Sequence, residues 1–346
     1  MPKTVKLFAE LLHAALYKGS VAPELKMAMG LRMAQINASP YVAAHMQRLL
    51  RASERGRQAL AHLASGANKS TAPIDALALS YAESLTRDVN GVSDADFQKI
   101  RGAYNDSQIV ELTMTVAFFN YFTRMAEALN LPVEPWALKD GGPPAATPAF
   151  TSPMARVGLI SDEEIRATGE TAAIAKDPAR QVGGLGLGVA NSQRAMLRAP
   201  EFALAWRAYG AAVREYATVN REMKLHVSFA VSMANGCRYC TLHQVLGLRW
   251  ADRRSVAMKK DDSALTPREL TAVQFARKLT REPAGVSDAD FDKLKSEFGE
   301  PGALEVLLQT CAFSFMNRFT DALRLPSEDE AIKTYQETYG SEYSRR

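Results

Sequence analysis

Gly91-Val92-Ser93-Asp94-Ala95-Asp96-Phe97 recurs letter for letter as Gly285-Val286-Ser287-Asp288-Ala289-Asp290-Phe291. Each copy reads as the start of a helix. The serine takes the N-cap and accepts from the N3 amide, the aspartate at N3 reaches back, and Val and Phe close over them as a hydrophobic staple. The identity is the centre of a longer match. Residues 76–132 align without gaps on 270–326, an offset of 194, with 20 of 57 columns identical, so the two segments share a fold. Upstream the offset becomes 198. There Asn37-Ala38-Ser39-Pro40-Tyr41-Val42-Ala43-Ala44-His45 lies over Asn235-Gly236-Cys237-Arg238-Tyr239-Cys240-Thr241-Leu242-His243. Asn, Tyr and His recur, whereas Ser39 and Val42 replace both cysteines.

Further helix starts follow the same chemistry. Thr266-Pro267-Arg268-Glu269 adds proline at the first helical position, and Ser161-Asp162-Glu163-Glu164 lies between Ile160 and Ile165. Strand-like alternation is absent over any useful length. The expectation is an all-α protein. Gly141-Gly142-Pro143-Pro144-Ala145-Ala146-Thr147-Pro148, followed by Ser152-Pro153, cannot hold a helix and reads as a linker. The expected organisation is a cysteine-free N-terminal repeat over 1–137, a linker over 138–154, a C-terminal domain with the cysteine motif over 155–330, and a polar tail over 331–346. Residues 155–200 have no clear counterpart in the shorter first half.

Composition bounds the function. The chain has 346 residues, 47% hydrophobic and 23% charged, with Lys+Arg 42 against Asp+Glu 38 and a net charge of +4. Such a chain is globular and long enough for two cores. The small balance and dispersed basic residues argue against nucleic acid. No apolar run approaches the roughly 18 residues of a membrane span, and the N-terminus moves straight into an amphipathic pattern with no cleavage site. We expect a cytoplasmic protein without nucleic-acid or membrane partners. Two related units with apolar faces should pack face to face about a pseudo-twofold axis, with self-association into a homo-oligomer.

Three cysteines, Cys237, Cys240 and Cys311, are too few for a disulfide scaffold. Cys311 lies in an apolar run and reads as a buried, inert thiol. Cys237-Arg238-Tyr239-Cys240 lacks the following histidine of a haem site and the preceding strand of a thioredoxin fold. Three readings remain. One is a zinc site improvised from Cys237, Cys240, His243 and His226, and another is a pair of unused cysteines. The third is a redox dithiol in the first turn of a helix opened by Asn235-Gly236, where the dipole favours thiolate. His243, three residues after Cys240, would share its face and exchange a proton with it. Elsewhere, His226 reads as packed or partly exposed, His13 and His62 as surface residues, and His45 as a core or relict position. Gly184-Leu185-Gly186-Leu187-Gly188 reads as a turn before a helix near Asn191, since no strand precedes it. No motif calls for a cofactor.

Ala234 to His243, with the helical signatures Ile109-Val110-Glu111-Leu112 to Asn120-Tyr121-Phe122-Thr123-Arg124 and Leu304-Glu305-Val306 to Asn317-Arg318-Phe319, resembles the alkylhydroperoxidase D-like, carboxymuconolactone decarboxylase superfamily, in its peroxidase-related branch. The internal repeat extends this resemblance to most of the chain. It implies tandem helical domains, oligomers, and reduction of hydroperoxides or disulfides through the cysteine pair at the expense of a dithiol reductant. Cys240 would attack, Cys237 would resolve, His243 would transfer the proton and Glu222 would stand in the relay. The family's glutamate twelve residues before the first cysteine is Leu225 here, with Glu222 one turn earlier. The family's histidine four residues after the second cysteine is Gln244. A lactone decarboxylase, which would not need the cysteines, or a non-enzymatic helical assembly protein are the alternatives.

Overall fold

The computed structural model describes residues 2–65, 73–131, 133, 157–167, 189, 191–215, 218–251 and 262–340. All regular structure among them is helical. The first half holds α1 (Pro2–Tyr17), α2 (Pro23–Ile36), α3 (Pro40–Leu50), α4 (Glu54–Ser65), α5 (Pro73–Arg87), α6 (Asp94–Ala103) and α7 (Asp106–Ala128). Short α8 (Asp162–Ala167) and α9 (Asn191–Met196) precede α10 (Pro200–Glu215), α11 (Arg221–Asn235), α12 (Arg238–Ala251), α13 (Pro267–Arg281), α14 (Asp288–Ala322) and α15 (Asp329–Tyr339). The glycine-rich stretch 184–188 and the linker 138–154 lie outside the described residues.

The expected caps form. Thr266 with Glu269 and Ser287 with Asp290 make reciprocal boxes, as do Ser161 and Glu164. Ser93 accepts from the Asp96 amide at 3.0 Å, but the Asp96 carboxylate takes the Ser93 hydroxyl at 2.6 Å. α14 is broken at Gly299 (φ 67°, ψ 169°), followed by Pro301. The repeat sets Gly299 over Asn105, which caps α7 with Gln108. The first half thus separates α6 from α7 by a side-chain cap, and the second bends at a backbone position open to glycine.

A buried carboxylate latch occurs in each half. Glu111 on α7 accepts from the amides of Ser20 (2.9 Å) and Val21 (3.1 Å) and from Lys26 Nζ (2.5 Å). Glu305 on α14 accepts from the amides of Thr218 (2.9 Å) and Val219 (3.3 Å) and from Lys224 Nζ (2.7 Å). The residues correspond through the two offsets. Burial lowers the Lys26 pKa, and the Glu111 carboxylate opposes the shift.

α1 packs on α10, and α7 packs along α14. The main apolar core runs through both halves, so the segments divided at the linker share one interior. Phe8, Phe118, Tyr121 and Tyr209 meet in it, and Trp206 stacks on Phe315 with centroids 3.9 Å apart. A smaller cluster joins α11, α12, α13 and α15 through Phe229, Leu242, Val245, Val273 and Tyr335. This corrects the polar tail at 331–346. Thr334 and Tyr335 fall one helical turn after Ala331 on a single buried face, with Ile332 packed beside it, while Lys333, Gln336 and Glu337 are exposed. The remaining 341–346 lie outside the described residues.

Candidate functional site

The cysteine pair sits where α11 ends and α12 begins. Gly236 closes α11 in the left-handed conformation (φ 66°, ψ 24°), and its amide and that of Cys237 return to the last turn. Cys237 then acts as the N-cap of α12. Its sulfur accepts from the Cys240 amide at 3.3 Å, and its carbonyl accepts from the Thr241 amide and hydroxyl. Both cysteines face α14, where the Thr320 hydroxyl lies 3.4 Å from each sulfur. Asn235 Nδ2 donates to Asn317 Oδ1 (2.8 Å), and Asn317 Nδ2 donates to Ser232 Oγ, fixing the α11 end on the same helix.

Burial overrides the helix dipole at the first cysteine. Cys237 is fully buried and Cys240 is 3% exposed. Desolvation raises the Cys237 pKa well above the ordinary thiol value, and the hydrogen bond to Cys240 and the electrostatic repulsion from a second sulfur so close raise it further. The Thr320 hydroxyl and Cys240 amide oppose the shift without reversing it. The thiolate expected from the dipole is therefore not favoured at Cys237, which keeps its proton. Cys311 is buried as expected, and burial pushes it up to about 12.

His243 is placed differently from the sequence expectation. Its Nδ1 lies 2.7 Å from the Tyr239 carbonyl and its Nε2 lies 2.5 Å from Glu328 Oε2. A carbonyl can only accept, so Nδ1 carries a hydrogen, and one proton lies between Nε2 and the carboxylate. Both ring nitrogens are thus engaged away from the sulfurs. The Tyr239 ring stacks on His243 at 4.1 Å, and its hydroxyl donates to Glu328 Oε1 at 3.3 Å. Glu328 also accepts the Asn191 amide at 2.6 Å. Burial raises the Glu328 pKa, but the His243 hydrogen bond and charge and the Asn191 amide outweigh it, leaving the carboxylate more acidic than usual.

Glu222 is not brought to the dithiol. It stands in the first turn of α11, thirteen residues before Asn235, which is about 20 Å along the helix axis. Leu225, one turn on, lies against Gly247 of α12. The carboxylate beside His243 is Glu328, just before α15, which the motif reading missed. A signal was available: carried two columns further, the 194 offset sets Glu134 over Glu328, as His45 already lies over His243. Glu134 is outside the described residues. His45 repeats the local geometry, with Nδ1 2.8 Å from the Tyr41 carbonyl and its ring 4.4 Å from Tyr41. The histidine pose therefore belongs to the scaffold. The first half lacks Cys237, Cys240 and Thr320, replaced by Ser39, Val42 and Ala126.

His226 is fully buried on α11, with Nδ1 3.8 Å from Glu269 Oε1. Among the described residues, no three His, Cys, Asp or Glu side chains gather as a metal site, so the improvised zinc set is not assembled. No described helix is long and apolar enough to cross a membrane.

No protein-family profile and no curated protein matches the chain. Among solved structures, the apo debrominase Bmp8 is similar at 20% identity and a TM-score of 0.44, over 52% of this chain and 96% of that one. A cysteine-to-alanine variant of Bmp8 in complex with 2,3,4-tribromopyrrole is similar at 19% identity and a TM-score of 0.44, over 52% and 95% of the chains.

Proposed function

We propose that the chain is a thiol-dependent peroxidase or disulfide oxidoreductase whose chemistry resides in Cys237 and Cys240. The observation that carries this reading is the sharing of one hydroxyl, Thr320 Oγ1, by two sulfurs, with the Cys240 amide directed at Cys237. Two thiols held by a common partner at a helix start are within reach of a disulfide after modest side-chain rotation. Cys240 is the attacking sulfur and Cys237, kept protonated, is the resolving one. The Cys240 thiolate attacks the outer oxygen of a hydroperoxide, the O–O bond breaks, and the leaving oxygen takes a proton to depart as an alcohol or water. His243 supplies that proton by exchanging its bond to Glu328 for one to the leaving oxygen. The Cys237 thiol then attacks the sulfenic acid, forming the disulfide and releasing water. An external dithiol reductant restores both thiols by exchange.

In this reading the first half is a degenerate copy of the second, and the halves stand about a pseudo-twofold axis in place of two subunits. The pairings of α1 with α10 and α7 with α14 support it, since each joins equivalent elements. The resemblance to alkylhydroperoxidase D-like proteins supports the same chemistry, a cytoplasmic setting and further self-association. The direct test is hydroperoxide consumption by the full chain with several dithiol donors. Turnover lost in Cys240→Ser and Cys237→Ser but kept in Cys311→Ser supports the proposal, and turnover surviving both motif substitutions removes it.

A further inference from the structure

Two arginines are buried between the halves with no carboxylate hydrogen-bonded to them among the described residues. Arg124 on α7 and Arg318 on α14 are each 3% exposed, and the 194 offset makes them equivalent. Each reaches across to the other half. Arg124 Nη2 donates to the Thr280 carbonyl at 3.4 Å, near the end of α13, and Arg318 Nη2 donates to the Thr86 carbonyl at 3.2 Å, near the end of α5. Their Nη1 atoms turn back to carbonyls one helical turn behind, and Arg124 Nη1 also meets Asn120 Oδ1. These acceptors are all neutral. They occupy five of the ten N–H donors, and both Nε atoms are buried with no hydrogen-bond partner among the described residues. Neutral carbonyls satisfy donors but do not cancel two buried positive charges.

Both side chains line one cleft of about 620 Å³. Asn37 and Asn235, equivalent by the 198 offset, line it as well, together with the half-buried Arg87 and the exposed Arg281. Four arginines stand in the wall against Asp88 and Glu282, an excess of two positive charges, of which that of Arg87 meets the Glu83 carboxylate behind it at 3.8 Å. Burial lowers the Arg124 pKa to about 10. It lowers the Arg318 pKa too, where the neighbouring Arg124 charge adds to the shift and Asp88 opposes it. The helix ends at Thr86 and Thr280 supply partial negative charge, which accounts for the orientation of the two guanidinium groups but not for the surplus around them.

We propose that this cleft is a binding site for a compact oxyanion, either a tetrahedral phosphate or the carboxylate of a small organic acid, held between Arg124 and Arg318. A guanidinium presents paired donors that match the oxygen spacing of both groups. The near-equivalence of the two walls suits an anion with interchangeable oxygens. The site lies outside the dithiol and does not depend on its chemistry.

The test is calorimetric titration of the full chain with inorganic phosphate and, separately, with malonate, at an ionic strength held constant with sodium chloride. Saturable binding of one anion per chain is expected, with the preferred probe identifying the source as phosphate or organic acid. Arg318→Gln should weaken it about tenfold, as expected for loss of one charge-assisted hydrogen bond. Arg281→Glu changes an exposed lining residue and leaves the interior intact, so it decides the matter if Arg318→Gln does not fold. It should weaken binding severalfold by reversing the local field. Absence of saturation with both probes, or binding unchanged by Arg281→Glu, overturns the proposal.

Discussion

Cys237, Cys240 and Cys311 are all buried, yet their surroundings differ in one group. A hydroxyl on Thr320 touches the first two sulfurs, whereas Arg124 is the charged neighbour that opposes the upward shift of the third. Thr320→Val should therefore slow peroxide-driven disulfide formation by about tenfold, the effect of removing a hydrogen bond to a charged sulfur, without altering helicity. Stopped-flow thiol loss checks this, and an unchanged rate removes Thr320 from the site. Glu328 gives a pH prediction. Its pKa is lowered in the fold, so its contribution to stability is present above the unfolded value of about 4.3 and is lost as pH falls through the lower folded value. Glu328→Gln should flatten that acid-side loss in unfolding midpoints measured from pH 6 to pH 3. The motif Cys237–Cys240 was legible in the sequence because four consecutive residues carry it. The burial of Cys237 was not, because it depends on α14 packing over the cap from some eighty residues away. Glu328 escaped for the same reason, being 85 residues beyond His243.

At the scale of the element, helix starts were the most legible feature, since a cap is settled by four neighbouring residues. Ser287 and Asp290 show the strength of the local signal. The Lys278 ammonium and the Ser287 hydroxyl hold Asp290 down to about 2. That interaction is complete above about pH 4 and disappears as pH falls toward 2. Ser287→Ala should destabilise the chain by about 1 kcal/mol at neutral pH, the usual cost of a lost N-cap, as denaturant midpoints would record. Gly299 is a second local test. Its φ of 67° with ψ of 169° is a conformation nearly restricted to glycine, and a Cβ there would meet only Pro301 Cδ at 3.9 Å. Gly299→Ala should cost about 1–3 kcal/mol through backbone strain, with no steric clash to relieve it. The helix α15 was not legible as a packed element because Ala331, Thr334 and Tyr335 are sparse among polar residues. Their one-turn spacing becomes informative only once α12 supplies a face for them.

For the whole molecule, the ungapped repeat relates the buried latches at Glu111 and Glu305, which are built from corresponding residues. The continuous core was less legible, because a proline-rich linker marks where the chain is extended but not how its flanks dock. Trp206 from α10 stacked on Phe315 from α14 lies within that core. Phe315→Ala should destabilise the chain by about 3–5 kcal/mol, with a change in tryptophan emission, as for other fully buried aromatic residues. The proposed dithiol chemistry belongs to one half only, since Ser39, Val42 and Ala126 replace the dithiol and its hydroxyl in the other. Peptide mass mapping of the full chain after one equivalent of hydroperoxide tests that assignment most directly. An intramolecular Cys237–Cys240 disulfide formed one for one with peroxide consumed is expected, with the Cys311 thiol still free once the chain is denatured. Both motif cysteines remaining alkylatable while peroxide persists would contradict it.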